Sequence, residues 1–148
     1  MSPTRAHDTI IEEIAIKAPA DRIFEALTNP EECIKWWGQT GQFGWTHIES
    51  DPRPGGRLVM RGTGYGKPVS VTGVYRQIER PRLLVFTWLP DWQGDQTESI
   101  VRWDLEEKAG VTTVRLTHSG LNTEPSRSSH RGWPSILGWL RGHVEGTV

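Results

Sequence analysis

Acid–base, nucleophilic or metal chemistry needs polar side chains that converge, and this chain offers few at spacings that allow it. His118, in "TTVRLTHS", is the main candidate. On a strand it continues the face of Val114 and Leu116, just before a loop. A neutral imidazole there can orient a ligand or act as a general base. No carboxylate partner is identifiable for it, so the expected arrangement is a ring N–H tied to a backbone carbonyl near the strand end. His47 and Glu49 stand two apart on one side of a strand, with Trp45 at the same parity. A metal site takes three or four converging ligands and only two are present here, so neither a metal nor another cofactor is expected. His130 and His143 are scattered, either solvated or flanking the last helix. Cys33 is the single cysteine, which excludes an internal disulfide, and it reads as a small hydrophobe near the end of a short helix. "GTGYGKP" has neither the spacing nor the following helix of a phosphate loop and reads as a hairpin turn.

The residue type in excess is tryptophan, with eight in 148 residues. Indole joins a large apolar area to one N–H donor that wants an acceptor when buried. Trp36 and Trp37 are adjacent and cannot both point inward from one helix face. One is expected to anchor the short helices and the other to touch a pocket mouth or a partner.

The elements that must position these groups follow from periodicity and punctuation. "TIIEEIAIK" reads as a strand. "APADRIFEALTNP" reads as a helix with Pro19 in its first turn, Asp21 at the positive end of the dipole and Asn29–Pro30 as its stop. "PEECIKWWG" restarts a second short helix. Six strands are expected at about 43–50, 57–63, 69–79, 82–89, 97–107 and 111–118, separated by Gly/Pro turns, with "LPDWQGDQ" as a longer loop. In "SIVRWDLEE", Val101, Trp103 and Leu105 share a face. In "RLLVFTWLP", Leu84, Phe86 and Trp88 do the same. Arg57 and Arg61 belong to the outer face, because Leu58 and Met60 claim the inside.

"GWPSILGWL" opens the last helix. At 3.6 residues per turn, Trp133, Ile136, Leu137, Leu140 and Val144 fall in one arc about 100° wide, a core-facing stripe. Trp139 and His143 sit on its shoulder. Pro134 inside a helix costs about 3 kcal/mol, so the helix is expected to kink there or to begin near Trp133. "NTEPSRSSHRG" ahead of it reads as a looser approach with a helical turn. Gly138 and Gly142, four apart, face away from the stripe and make a weak case for dimerisation. The sum is an α+β chain: a strand, two short helices, an antiparallel meander, and a helix laid as a lid over the sheet's apolar face.

Seventeen Lys+Arg against eighteen Asp+Glu leave a net charge of −1, which gives no footprint for nucleic acid. No apolar run is long enough for a membrane span. "MSPTRAHDTIIEEIAIK" lacks the pattern of a secretory signal, so a cytoplasmic protein is expected. Its length suits a single domain, over residues 9–146, with a short extension at 1–8.

Four segments carry a family resemblance. "IKAPADRIFEALTNPEECIKWWG", "DPRPGGR", "VTGVYRQIERPRLLVFTW" and "RLTHSGL" resemble the START-like, birch-pollen-allergen-like (SRPBCC) superfamily. Within it they look like the group related to activators of a heat-shock chaperone ATPase. The likeness runs from about residue 9 to 144. It implies a helix-grip fold, a curved antiparallel sheet wrapped around a long C-terminal helix with two short helices after the first strand. It also implies a cavity between sheet and helix. Alternation and the helical wheel then nominate its lining: Met60, Phe86, Trp88, Trp103, Leu116 and His118, with Trp133 and Leu137 from the lid and Trp36 from the short helices.

The function expected on this basis is binding of a small hydrophobic or amphipathic molecule, by a monomer or homodimer. An alternative is a cyclase- or hydratase-like enzyme in the same cavity with His118 as acid–base. Another is a chaperone-associated regulatory module. Eukaryotic activators of that group join a distinct N-terminal domain to this one, and only "MSPTRAHD" precedes it here.

Overall fold

The computed structural model describes residues 8–39, 43–91 and 98–146. The expected extension at 1–8 (all but Asp8) and most of the "LPDWQGDQ" loop, with Trp92, lie outside the described residues. The elements run β1 (Ile10–Ile16), α1 (Ala20–Thr28), α2 (Pro30–Trp36), β2 (Gly38–Gln39), β3 (Phe43–Ser50) and β4 (Arg57–Gly64). They continue with β5 (Lys67–Glu79), β6 (Leu83–Pro90), β7 (Ser99–Lys108), β8 (Val111–Ser119), α3 (Glu124–Ser129) and α4 (Trp133–Glu145).

All strands join one antiparallel sheet in the order β1-β8-β7-β6-β5-β4-β3-β2. The six long meander strands lie where the alternation places them. Two features go beyond it. The two-residue β2 adds an edge on β3, pairing Gly38 with Gly44. The first strand crosses the whole chain to pair with the last, Ile10 opposite His118 and Ile16 opposite Thr112. The sheet curls into a half-barrel around α4, the helix-grip arrangement.

Local chemistry sets the element ends. Pro19 is extended, at ψ 149°, and stands just ahead of α1 rather than in its first turn. Asn29 caps α2 by accepting from the Glu31 N–H at 3.0 Å, with Pro30 in the first helical position where no N–H is needed. The β4–β5 hairpin turns on Tyr65 and Gly66, at φ 53° and 81°, and the β7–β8 hairpin on Ala109 and Gly110, at 52° and 80°. Positive φ at both central residues is the geometry of a two-residue hairpin turn whose twist matches its strands. α4 starts at Trp133, so Pro134 falls in the first turn, where its missing N–H leaves no hydrogen bond broken. Gly146 ends it in the left-handed region at φ 70°.

Two β-bulges reset the inward face. One lies between Trp45 and His47, the other between Tyr75 and Gln77. Each extra residue shifts the parity of the strand beyond it. Trp45 is therefore buried while His47 is exposed, and the two do not share a face as simple alternation implies.

The core lies between the concave face of the sheet, α1, α2 and α4. Val101, Trp103, Leu105, Val114, Leu116 and His118 point into it, as do Leu84, Phe86 and Trp88. The lid contributes Trp133, Leu137 and Leu140 in full and Ile136 and Val144 in part. No helix among the described residues is long and apolar enough to cross a membrane.

Candidate functional site

The tryptophans pack against one another rather than being spread through the core. α2 ends at Trp36, and Trp37 leaves the helix at φ −91° and ψ 86°, so both neighbouring indoles turn inward. That reverses the expectation drawn from a continuous helix face. Trp37 stacks on Trp36 at 5.2 Å and on Trp88 at 6.0 Å, forming a three-indole pile. Trp133 meets Trp103 edge-on at 6.0 Å and leans on Trp88 at 5.9 Å. The Trp36 N–H donates to the Ala26 carbonyl at 2.9 Å, which fastens α2 to α1.

Two histidines take up the indole donors beneath the lid. The Trp133 N–H donates to His118 Nδ1 at 3.1 Å. An indole can only donate, so that nitrogen carries no proton and the ring proton sits on Nε2. Nε2 stands 2.8 Å from Ser99 Oγ, which in turn donates to the Trp88 carbonyl at 3.2 Å. The Trp88 N–H donates to His130 Nε2 at 3.0 Å, and His130 Nδ1 donates to the Ser126 carbonyl at 2.7 Å. The two imidazoles meet edge to face at 4.6 Å. Burial, and secondarily the neighbouring His130, push His118 down to about 2. Burial also lowers His130.

This circuit ties α3 and α4 to β6, β7 and β8, and it defines what His118 is. The ring is fully buried, both nitrogens are engaged, and its proton reaches a backbone carbonyl through one hydroxyl. An imidazole titrating near pH 2 is a weak base, poorly matched to proton abstraction at neutral pH.

Above the circuit a pocket of about 260 Å³ opens at one end of the sheet. Trp88 and Trp133 form its floor. Trp37, Phe43, Trp45 and Tyr65 wall the side next to β3 and the β4–β5 turn, while Ser135, Ile136 and Trp139 of α4 wall the other. Ser129, His130 and Gly132 close the remaining gap from α3 and the link to α4. None of these residues is an acid, a lysine or an arginine.

Of the side chains nominated from sequence, Trp88 and Trp133 line this pocket. Trp36, Leu116, His118 and Leu137 are packed in the core away from it. Met60, Phe86 and Trp103 surround a separate void of about 10 Å³ between the sheet and α2. Indole volume fills the space between sheet and lid, and of these two voids the larger lies at its open end. Sequence reasoning gave one of the Trp36–Trp37 pair to the helices and the other to a pocket mouth or a partner without saying which; Trp36 is the anchor and Trp37 the wall, and both are inward because α2 stops at Trp36. It missed Trp45 because of the bulge. Of the two placements left open for His130, solvated or flanking the last helix, the structure has the second, with the ring 5% exposed.

The remaining polar candidates are placed elsewhere. His47 and Glu49 pair with each other at 2.8 Å on the outer face. His143 joins Glu32 at 2.9 Å, bracing α4 on α2. Cys33 is buried with Sγ 3.2 Å from the Ala26 carbonyl, and burial pushes its thiol up to about 12. Gly138 and Gly142 line a shallow groove with Ala15, Lys17 and Val111.

Residues 17–145 match the family described as Activator of Hsp90 ATPase homolog 1-like protein. No curated protein sequence matches the chain. Among solved structures, protein CV1439 from Chromobacterium violaceum superposes with a TM-score of 0.83 at 23% identity, over 93% of this chain and 97% of that one. An AHSA1-like protein from Aeromonas hydrophila gives 0.76 at 21%, over 94% and 93%. DynU16, from the dynemicin biosynthetic locus, gives 0.74 at 22%, covering 95% of this chain and 48% of its own. These likenesses establish the fold.

Proposed function

The chain belongs to the Activator of Hsp90 ATPase homolog 1-like family, and from that premise we propose that it binds a small hydrophobic or amphipathic molecule in the aromatic pocket at the open end of the sheet. The observation that carries the reading is the pocket itself, about 260 Å³ walled by aromatic rings and a few hydroxyls, with no charged side chain among the described residues that line it. Small-molecule sites are concave, mostly apolar and sparsely polar, at roughly 300–1,000 Å³ for drug-sized ligands, so a compact guest is favoured. DynU16 supports the reading at the level of fold, as a protein of a biosynthetic locus built on the same frame. Twelve residues of a single chain line the pocket among those described, a lining that a monomer and a homodimer can both carry.

Trp139 is the side chain to test, because it lines the pocket and is only partly buried, whereas truncating Trp88 or Trp103 would open the core. The assay is a fluorescence titration with N-phenyl-1-naphthylamine, an uncharged aromatic probe. The expected result is saturable binding at one site, weakened about tenfold in Trp139→Ala, the change that about 1.4 kcal/mol of lost contact produces. Unsaturable binding, or unchanged affinity in a folded Trp139→Ala, removes the assigned pocket.

A further inference from the structure

The pocket also states what its guest must look like. Seven of the twelve described residues that line it are Trp, Phe or Tyr, and these flat faces pack best on another flat ring system. With no charged side chain among the described lining residues, a charged group buried there would lose its hydration without gaining a counter-ion from them. Both nitrogens of His130 are already engaged, by Trp88 and by the Ser126 carbonyl.

Among the described residues, one buried side-chain polar atom is left over. Trp36, Trp88 and Trp133 each donate their indole N–H inside the protein. The Trp45 indole N–H is buried and has no acceptor among the described residues. Trp45 is 4% exposed and forms part of the pocket wall. Phe43 and Trp37 meet its ring at steep angles, at 4.9 and 6.2 Å, and neither side chain offers a hydrogen-bond acceptor. A buried donor without a partner is uncommon in native proteins and calls for a physical explanation. Phe43 is only half-buried, and Tyr65 beside it is 80% exposed, so this side of the wall can give way to a guest.

Resting on the binding reading above, we infer that the ligand is an uncharged, flat aromatic molecule carrying a hydrogen-bond acceptor such as a ring carbonyl, and that the Trp45 indole N–H is the donor that selects it. The aromatic walls supply affinity through stacking. Trp45 supplies discrimination, because a guest of the same shape without an acceptor leaves the donor unpaired.

The test compares 2-acetylnaphthalene with 2-isopropylnaphthalene, close in shape and differing in the carbonyl, against the wild type and Trp45→Phe. The ratio of the two dissociation constants in one protein is compared with the ratio in the other, which cancels the difference in hydrophobicity. The expected result is a change of about five- to tenfold in favour of the acetyl compound when Trp45 is present, the worth of one buried hydrogen bond. In the wild type, the Trp45 indole N–H proton signal also moves downfield with the acetyl compound and not with the other. Equal ratios and an unmoved signal, with both compounds bound, overturn the role of Trp45 and leave the binding reading standing. Failure of both compounds to bind the wild type overturns the binding reading, and this inference with it.

Discussion

Lowering the pH from 7.5 to 5.0 perturbs the lid through the two buried histidines. His118 titrates near 2 in the folded protein because burial disfavours its charged form, and near 6.5 when the chain is unfolded. Between those values the unfolded state binds a proton that the folded state refuses. The stability contributed by the neutral ring is therefore complete above about pH 6.5 and is lost as pH falls below it. At about 1.36 kcal/mol per unit, the decrease from pH 7.5 to 5.0 is about 2 kcal/mol from His118 alone. His130, lowered by burial, adds to it in the same direction. Glu32 and Glu124 are held below their ordinary range, so their contributions are lost only below about pH 4.5 and do not enter this window. Urea unfolding followed by tryptophan emission at the two pH values reads the difference directly. His118→Asn, which keeps an acceptor for Trp133, removes one proton from the slope. An unfolding midpoint unchanged between pH 7.5 and 5.0, or a slope untouched by His118→Asn, refutes the buried neutral circuit.

Three further outcomes rest on the same geometry. Trp133→Ala costs about 3–5 kcal/mol in unfolding free energy, because it opens a cavity and strips His118 Nδ1 of its donor; a loss under about 1 kcal/mol contradicts the packing. Gly73→Ala brings a methyl group to 2.0 Å from the Thr87 carbonyl oxygen, so the β5–β6 pairing must shift at a cost of at least about 1–3 kcal/mol, read as a lowered melting temperature. Cys33, buried with its thiol pushed up to about 12, stays unlabelled by a thiol reagent at pH 8 in the native protein and reacts once urea unfolds it.

Much of the fold is written in local patterns. Alternation in "SIVRWDLEE" and "TTVRLTHS" identifies the inward faces of β7 and β8, and the stripe from Trp133 to Val144 identifies the face of α4 that meets them. The pairing of β1 with β8 is different in kind. It is a contact across about a hundred residues, and no local period encodes it. The site was less legible for definite reasons. Its walls depend on where α2 stops, which swings Trp37 inward, and on a single extra residue after Trp45, which reverses the parity of β3. Neither a helix end nor a bulge leaves a strong periodic mark. His118 was legible as buried, but its role depends on Ser99 and Trp133, partners brought to it by other elements. A lining read by parity from the strands alone selects the filled interior. The room that remains lies where β3, the β4–β5 turn and the start of α4 meet.

Whether the aromatic pocket at the open end of the sheet takes a small hydrophobic guest is read best from the side-chain N–H signals of the tryptophans, in a ¹⁵N-labelled sample titrated with 2-acetylnaphthalene. Saturable changes are expected, largest at Trp45, Trp88 and Trp139, which line the pocket, and smallest at Trp36 and Trp103, which lie beneath it. Signals that stay in place throughout, or changes centred on Trp36 and Trp103, contradict binding at this pocket.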